Sequence, residues 1–345
     1  MKHKITILLS GLLFIMACST KGGSDGLTSA KLTKKDGTPI KLAWIGKTLN
    51  NPWWVSVADF ATKEANMLGV ELNIALPQEE VDLEKQVAMV ESAIQQNVDA
   101  IIISTTSSDG IIPSIKKAKD AGIKIVNFDT RISDKSIVDA YVGADDVAGS
   151  YKAGKYICEM LGGKGEVAII TGLLAQSTGV DRRAGFLKAC SEYPQIRVVA
   201  ESTAEWRSDK AADVTANILT ANPNIKAIFA CNDQMAVGMV SAAKSQGKKQ
   251  DDLILVGYDG ILDAINLMVQ GDLDANVALP NIEEAQIAVR VATALVLNDD
   301  YKFERELIFD TPLITIDYYP NLTDRTIYEF ASITFPLRGI NQKGY

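Results

Sequence analysis

The chain has 345 residues, a formal net charge of -8, one histidine and four cysteines. With no compensating basic cluster, that acidic balance excludes nucleic acid as a partner, because phosphate binding needs a basic face. His3 lies in the leader described next, so the rest of the chain excludes a histidine-dependent triad or a histidine-ligated metal; its length suits two domains of ordinary size.

Lys2, His3 and Lys4 precede an apolar run over 5–17. The run has the length of a signal-peptide core and falls short of the roughly 20 apolar residues of a spanning helix. It ends in Ile15-Met16-Ala17-Cys18, which resembles a bacterial lipobox. Cys18 is therefore expected to be lipidated, with 18–38 as a tether at the periplasmic or cell-surface face of a membrane, since each buried methylene adds about 0.8 kcal/mol. Cys158, Cys190 and Cys231 lack metal-like spacing and read as buried free thiols.

Beyond the tether, apolar strand-like runs at 40–46, 70–75, 100–104, 123–128, 138–142, 167–171, 196–200, 227–230 and 253–257 alternate with amphipathic helical stretches. This pattern predicts an α/β fold with parallel sheets and crossover helices. Asn51-Pro52 reads as an N-cap followed by proline at the first helical position, and Leu83, Val87, Val90 and Ile94 share one helical face. Gly69 and Gly122 suit helix C-terminal stops.

Strand after strand ends in polar residues: Lys47, Ser104-Thr105 and Asp129 in the first half, Thr171-Gly172, Asn232-Asp233 and Tyr258-Asp259 in the second. Ligands of open parallel sheets bind outside the carboxyl ends of the strands, so two such series imply two doubly wound, Rossmann-like lobes with facing rims. The change of lobe falls at 143–146, a tight Gly and Asp turn suited to a hinge.

Several segments together resemble the periplasmic ribose-binding proteins. Lys47-Thr48-Leu49-Asn50-Asn51-Pro52-Trp53-Trp54 is similar to that family's first-strand loop, and Asp129 to its strand-end aspartate. The segments 141–146, 181–186, 230–236 and 256–260 resemble, in order, its hinge-side segment, its arginine-bearing helix start and its two late strand-end motifs. The resemblance implies the type I periplasmic binding protein fold, with an N-terminal lobe of 39–144 plus 276–305 and a C-terminal lobe of 145–275 plus 306–345. It also implies an extracytoplasmic monomer that holds a monosaccharide or related polyol between its lobes, uses no cofactor or metal, and passes the sugar to an ABC transporter permease. A membrane sensor is the alternative recipient, and the effector module of a transcription regulator a lesser reading.

A pyranose has apolar C–H faces and a hydroxyl rim, so aromatic planes and charged edge groups suit it. The resemblance assigns planes to Trp53, Trp54, Trp206 and Tyr258, and edge contacts to Asp129, Arg182, Asn232 and Asp259; Asn51, Ser104, Arg131 and Asp146 complete the candidate set. Asp233 reads as a structural cap beside Asn232. Lys47, Ser104 and Asp146 depart from the ribose pattern, as does the absence of glutamine over 276–280. Lys47 suits either an acidic sugar or an ion pair with Asp129 or Asp146, the latter favoured.

Enzymatic readings lack support. Gly162-Gly163-Lys164-Gly165 precedes a strand, whereas a phosphate-binding loop follows one, and adjacent Asp145-Asp146 need not face each other across a glycosidic bond. A regulator would need an N-terminal helix-turn-helix where the leader stands. The C-terminal stretch 318–345, with Tyr328, Phe330, Ile333 and Phe335, is expected to pack against a lobe.

Overall fold

The computed structural model describes residues 31–248, 252–298 and 305–316. The expectations for the leader, for Cys18 and for 318–345 lie outside the described residues. Among those described, no helix is long and apolar enough to cross a membrane.

The described residues form two six-stranded sheets. The first contains β1 (Lys41–Ile45), β2 (Glu71–Ala75), β3 (Ala100–Ile103), β4 (Lys124–Phe128) and β5 (Ala140–Ala144), linked through α1 (Pro52–Leu68), α2 (Leu83–Gln95) and α3 (Ile112–Asp120). The chain then builds the second lobe through α4 (Asp146–Met160), β6 (Lys164–Thr171), α5 (Ser177–Ser191), β7 (Gln195–Thr203), α6 (Ser208–Ala221), β8 (Ile225–Ala230), α7 (Asp233–Ser245), β9 (Ile254–Asp259), α8 (Leu262–Gln270) and β10 (Ala275–Ala278). It returns as α9 (Asn281–Leu297) and β11 (Glu306–Phe309) and crosses once more into β12 (Leu313–Thr315).

The strand orders are β11-β5-β4-β3-β1-β2 and β12-β10-β9-β8-β6-β7, parallel throughout except for the antiparallel edge strand β12. Helices on both faces explain why β3 is an unbroken run, Ala100 to Ile103, with every side chain buried. At the head of α1, Asn51 Oδ1 accepts from Trp53 N at 2.9 Å and Pro52 needs no donor there. The helix stops at Gly69, whose φ of 70° lies in the left-handed region.

Two expected boundaries are corrected. Residues 275–278 pair with β9 in the second sheet, so the chain leaves that lobe after β10 and not at 276. Residues 306–309 pair with β5, so β11 belongs to the first lobe and the last crossing comes after Phe309. Both strands are only four residues long, and their sheet is set by distant partners. Residues 31–38, expected to be part of the tether, are instead fastened to the first lobe: Leu32 N donates to Leu68 O, and Lys34 Nζ donates to Asp99 at 2.8 Å.

Candidate functional site

The carboxyl ends of both sheets face a cleft lined by Lys47, Asn51, Trp53, Trp54, Glu80, Asp129, Thr178, Arg182, Trp206, Asn232, Asp259 and Leu279. Among the described residues, four of the five non-glycine residues with positive φ stand at or beside this cleft: Asp129 (54°), Glu205 (52°), Trp206 (65°) and Asp259 (122°). Backbone held in such sparsely populated regions costs of order 1–3 kcal/mol per residue and collects at functional sites.

Two buried charge networks shape the walls. In the first lobe, Lys47 Nζ lies 3.3 Å from Asp129 Oδ2, which also accepts from Ser104 Oγ (2.9 Å) and Thr130 Oγ1 (3.0 Å). Burial works against the Asp129 carboxylate, but the charges of Lys47 and Arg182 and these hydroxyls together hold it below the usual carboxylate range. In the second lobe, Arg182 donates to Asp146 (2.8 Å), Asp259 (3.0 Å) and Cys231 O (2.7 Å). Burial pushes Asp259 up to about 7 against the opposing charge of Arg182. Burial also raises Asp146, again opposed by Arg182.

The lobes touch along the cleft edge. Gln176, the N-cap of α5, accepts from Lys47 Nζ (3.1 Å) and Trp206 Nε1 (2.9 Å) and donates to Thr106 O (3.2 Å). Ser108 N donates to Ala175 O, and Arg131 N to Ser177 Oγ. Lys47 Nζ sits 5.2 Å from the Trp54 ring centroid and 5.9 Å from that of Trp206, between one indole from each lobe.

Of the residues singled out in sequence, Lys47, Asn51, Trp53, Trp54, Asp129, Arg182, Trp206, Asn232 and Asp259 line the cleft. Ser104 and Asp146 stand behind Asp129 and Arg182 as their partners. Tyr258, expected as a flat wall, is fully buried with the Arg182 guanidinium 3.9 Å over its ring and its hydroxyl on Asp146. Its face is thereby occupied. Arg131 turns to the Tyr141 ring (3.5 Å) and Glu306, away from the cleft. Trp53 and Trp54 stand at 82° to each other, so they are not two parallel planes.

Asn232 is the N-cap of α7, its Oδ1 accepting from Met235 N. Asp233 instead accepts from the backbone N–H groups of Tyr258, Gly260 and Ile261 and from Asn276 Nδ2, tying β9 and β10 to α7. The sequence reading missed Glu80, Thr178, Leu279 and the Gln176 bridge. Glu80 follows the carboxyl end of β2, so the strand-end rule applied to every strand would have found it. Leu279 follows β10, a strand the pattern did not show.

Residues 42–300 match the periplasmic binding protein domain. The chain is 36% identical to the D-allose-binding periplasmic protein of Escherichia coli over 74% of this chain and 84% of that one. It is 33% identical to the ribose import binding protein of Bacillus subtilis, covering 81% and 88%. A solved solute-binding protein of an ABC transporter from Actinobacillus succinogenes, with D-allose bound, superimposes with a TM-score of 0.76 at 34% identity, over 82% of this chain and 99% of that one. With its two parallel-sheet lobes and interlobe cleft, this chain belongs to the type I periplasmic sugar-binding proteins of the ribose-binding family.

Proposed function

We propose that the cleft binds one neutral monosaccharide or cyclic polyol and that the closed protein delivers it to an ABC-type importer. The carrying observation is that both cleft cations are already neutralised, Lys47 by Asp129 and Arg182 by Asp146 and Asp259, while Glu80 adds a further carboxylate. A sugar acid would find no unengaged cation among the described lining residues, whereas hydroxyl donors suit a carboxyl-rich wall. Asp129 keeps Oδ1 for the cleft, since its neighbours engage only Oδ2. Trp54 and Trp206 supply apolar faces from opposite lobes, and Trp53 Nε1 is a buried donor with no partner among the described residues.

Ligand that spans both walls favours closure through contacts absent when the lobes part, so recognition is a population shift. Delivery to an importer is preferred to sensing because the Bacillus subtilis relative is named for import. Lipidation at Cys18 would keep the protein near its permease, as a monomer. A thermal-shift panel of aldopentoses, aldohexoses, inositols and sugar acids tests the reading. Ligand at 100 times its dissociation constant stabilises by about 2.7 kcal/mol. Shifts with neutral sugars or polyols alone support it, and a shift confined to sugar acids would refute it.

A further inference from the structure

Helices α4 and α5 run side by side in the same direction on the second lobe, in closer approach than side chains normally permit. A Cβ at Gly154 would sit 2.8 Å from Ala189 Cβ and 3.0 Å from Phe186 O, and one at Gly185 would run into the backbone at Val147 and Tyr151. One turn beyond this crossing come Cys158, four residues after Gly154, and Cys190, next to Ala189. Their Sγ atoms are 4.0 Å apart and both are buried. A disulfide brings its sulfurs to about 2.05 Å, so the two Sγ atoms have about 2 Å to close, a movement that rotation about χ1 can supply.

We propose that Cys158 and Cys190 are a modification site, a dithiol that closes to a disulfide by exchange with a small-molecule or protein disulfide outside the cytoplasm. The mutual hydrogen bond holds the Cys158 thiol below its usual range and, with burial, drives Cys190 well above. Attack by either thiol gives the same link, and Cys158 serves here as the first attacker. Having released its proton to solvent, it bonds to one sulfur of the oxidant and expels the other as a thiolate. Cys190 then loses its proton, attacks Cys158 Sγ and expels the second oxidant thiolate. Two electrons pass to the oxidant, which takes up the two protons as two thiols. Both cysteines lie in the last turn of their helices, where fraying admits the oxidant. Cys231, at the end of β8, lies outside this pair.

The link would clamp the helix ends remote from the ligand. Asp146 begins α4, and the rise to Cys158 places the two roughly 18 Å apart. The test exposes reduced protein to excess oxidised glutathione, then denatures, alkylates and digests it for mass spectrometry. The expected result is a Cys158–Cys190 cross-linked peptide and an unfolding midpoint raised by about 5 °C, reversed by dithiothreitol. Sugar affinity should stay within about twofold, because the clamp is remote from the cleft. Cys231→Ser should retain the link and Cys158→Ser should lose both link and midpoint rise; if the latter does not fold, the wild-type peptide map decides. Alkylation of both cysteines after exposure, a glutathione adduct without the link, or an unmoved midpoint would overturn the proposal.

Discussion

Replacing Arg182 with alanine probes the strongest electrostatic commitment in the molecule. Arg182 is 4% exposed, and its guanidinium neutralises Asp146 at 2.8 Å and Asp259 at 3.0 Å, with no solvent to take its place. Removing one member of a buried ionic group costs about 3–5 kcal/mol because the remaining charge is left uncompensated. The loss should depend on pH in a defined direction. Both carboxyls are raised even with Arg182 present, Asp259 to about 7, and both rise further without it. A carboxyl whose folded value exceeds its unfolded one contributes stability while protonated and loses it as pH rises through the folded value. Arg182→Ala should therefore approach wild type near about pH 5 and show most of the deficit near about pH 8. Urea unfolding at the two pH values measures this, with calorimetry expected to show sugar affinity at least about 30-fold weaker at the higher pH. A deficit equal at both pH values, or absent at pH 8, would refute the reasoning.

Glu80→Gln removes a cleft carboxyl that burial raises above its usual range, so by the same sign its stability relative to wild type should increase from about pH 5 to about pH 8 in urea unfolding. Trp53→Phe keeps an apolar ring and deletes the unpartnered Nε1 donor; sugar affinity by calorimetry should fall about tenfold. Gln176→Ala cuts the bridge to Lys47 and Thr106, and small-angle scattering should report a larger radius of gyration for the sugar-free protein. Asp259→Asn should flatten the rise in sugar affinity expected as the wild-type carboxyl ionises around pH 7, measured by titration across that range.

Much of this site was visible in the residues because strand ends in a parallel sheet must point to one rim. Lys47, Asp129, Asn232 and Asp259 all follow that rule, and the helix start at Asn51-Pro52 could be read from its cap. What escaped was the depth at which each group sits. Tyr258 closes a strand like its neighbours, yet the guanidinium drawn between Asp146 and Asp259 covers its ring. No periodicity records such competition between side chains. The late crossings were hidden for a different reason. β10 and β11 are four-residue strands whose sheet is decided by distant partners, Val256 to Asp259 for one and Tyr141 to Ala144 for the other. Glu80 was missed because the polar segment after β2 resembles an ordinary solvated loop.

The central claim is tested most directly by a crystal structure grown with the strongest neutral ligand from the thermal-shift panel. The account predicts one sugar or polyol between the Trp54 and Trp206 faces, with hydroxyls on Asp129 and Asp259 and an oxygen accepting from Trp53 Nε1. Ligand bound outside the interlobe cleft, or within it but touching neither carboxylate, would contradict it.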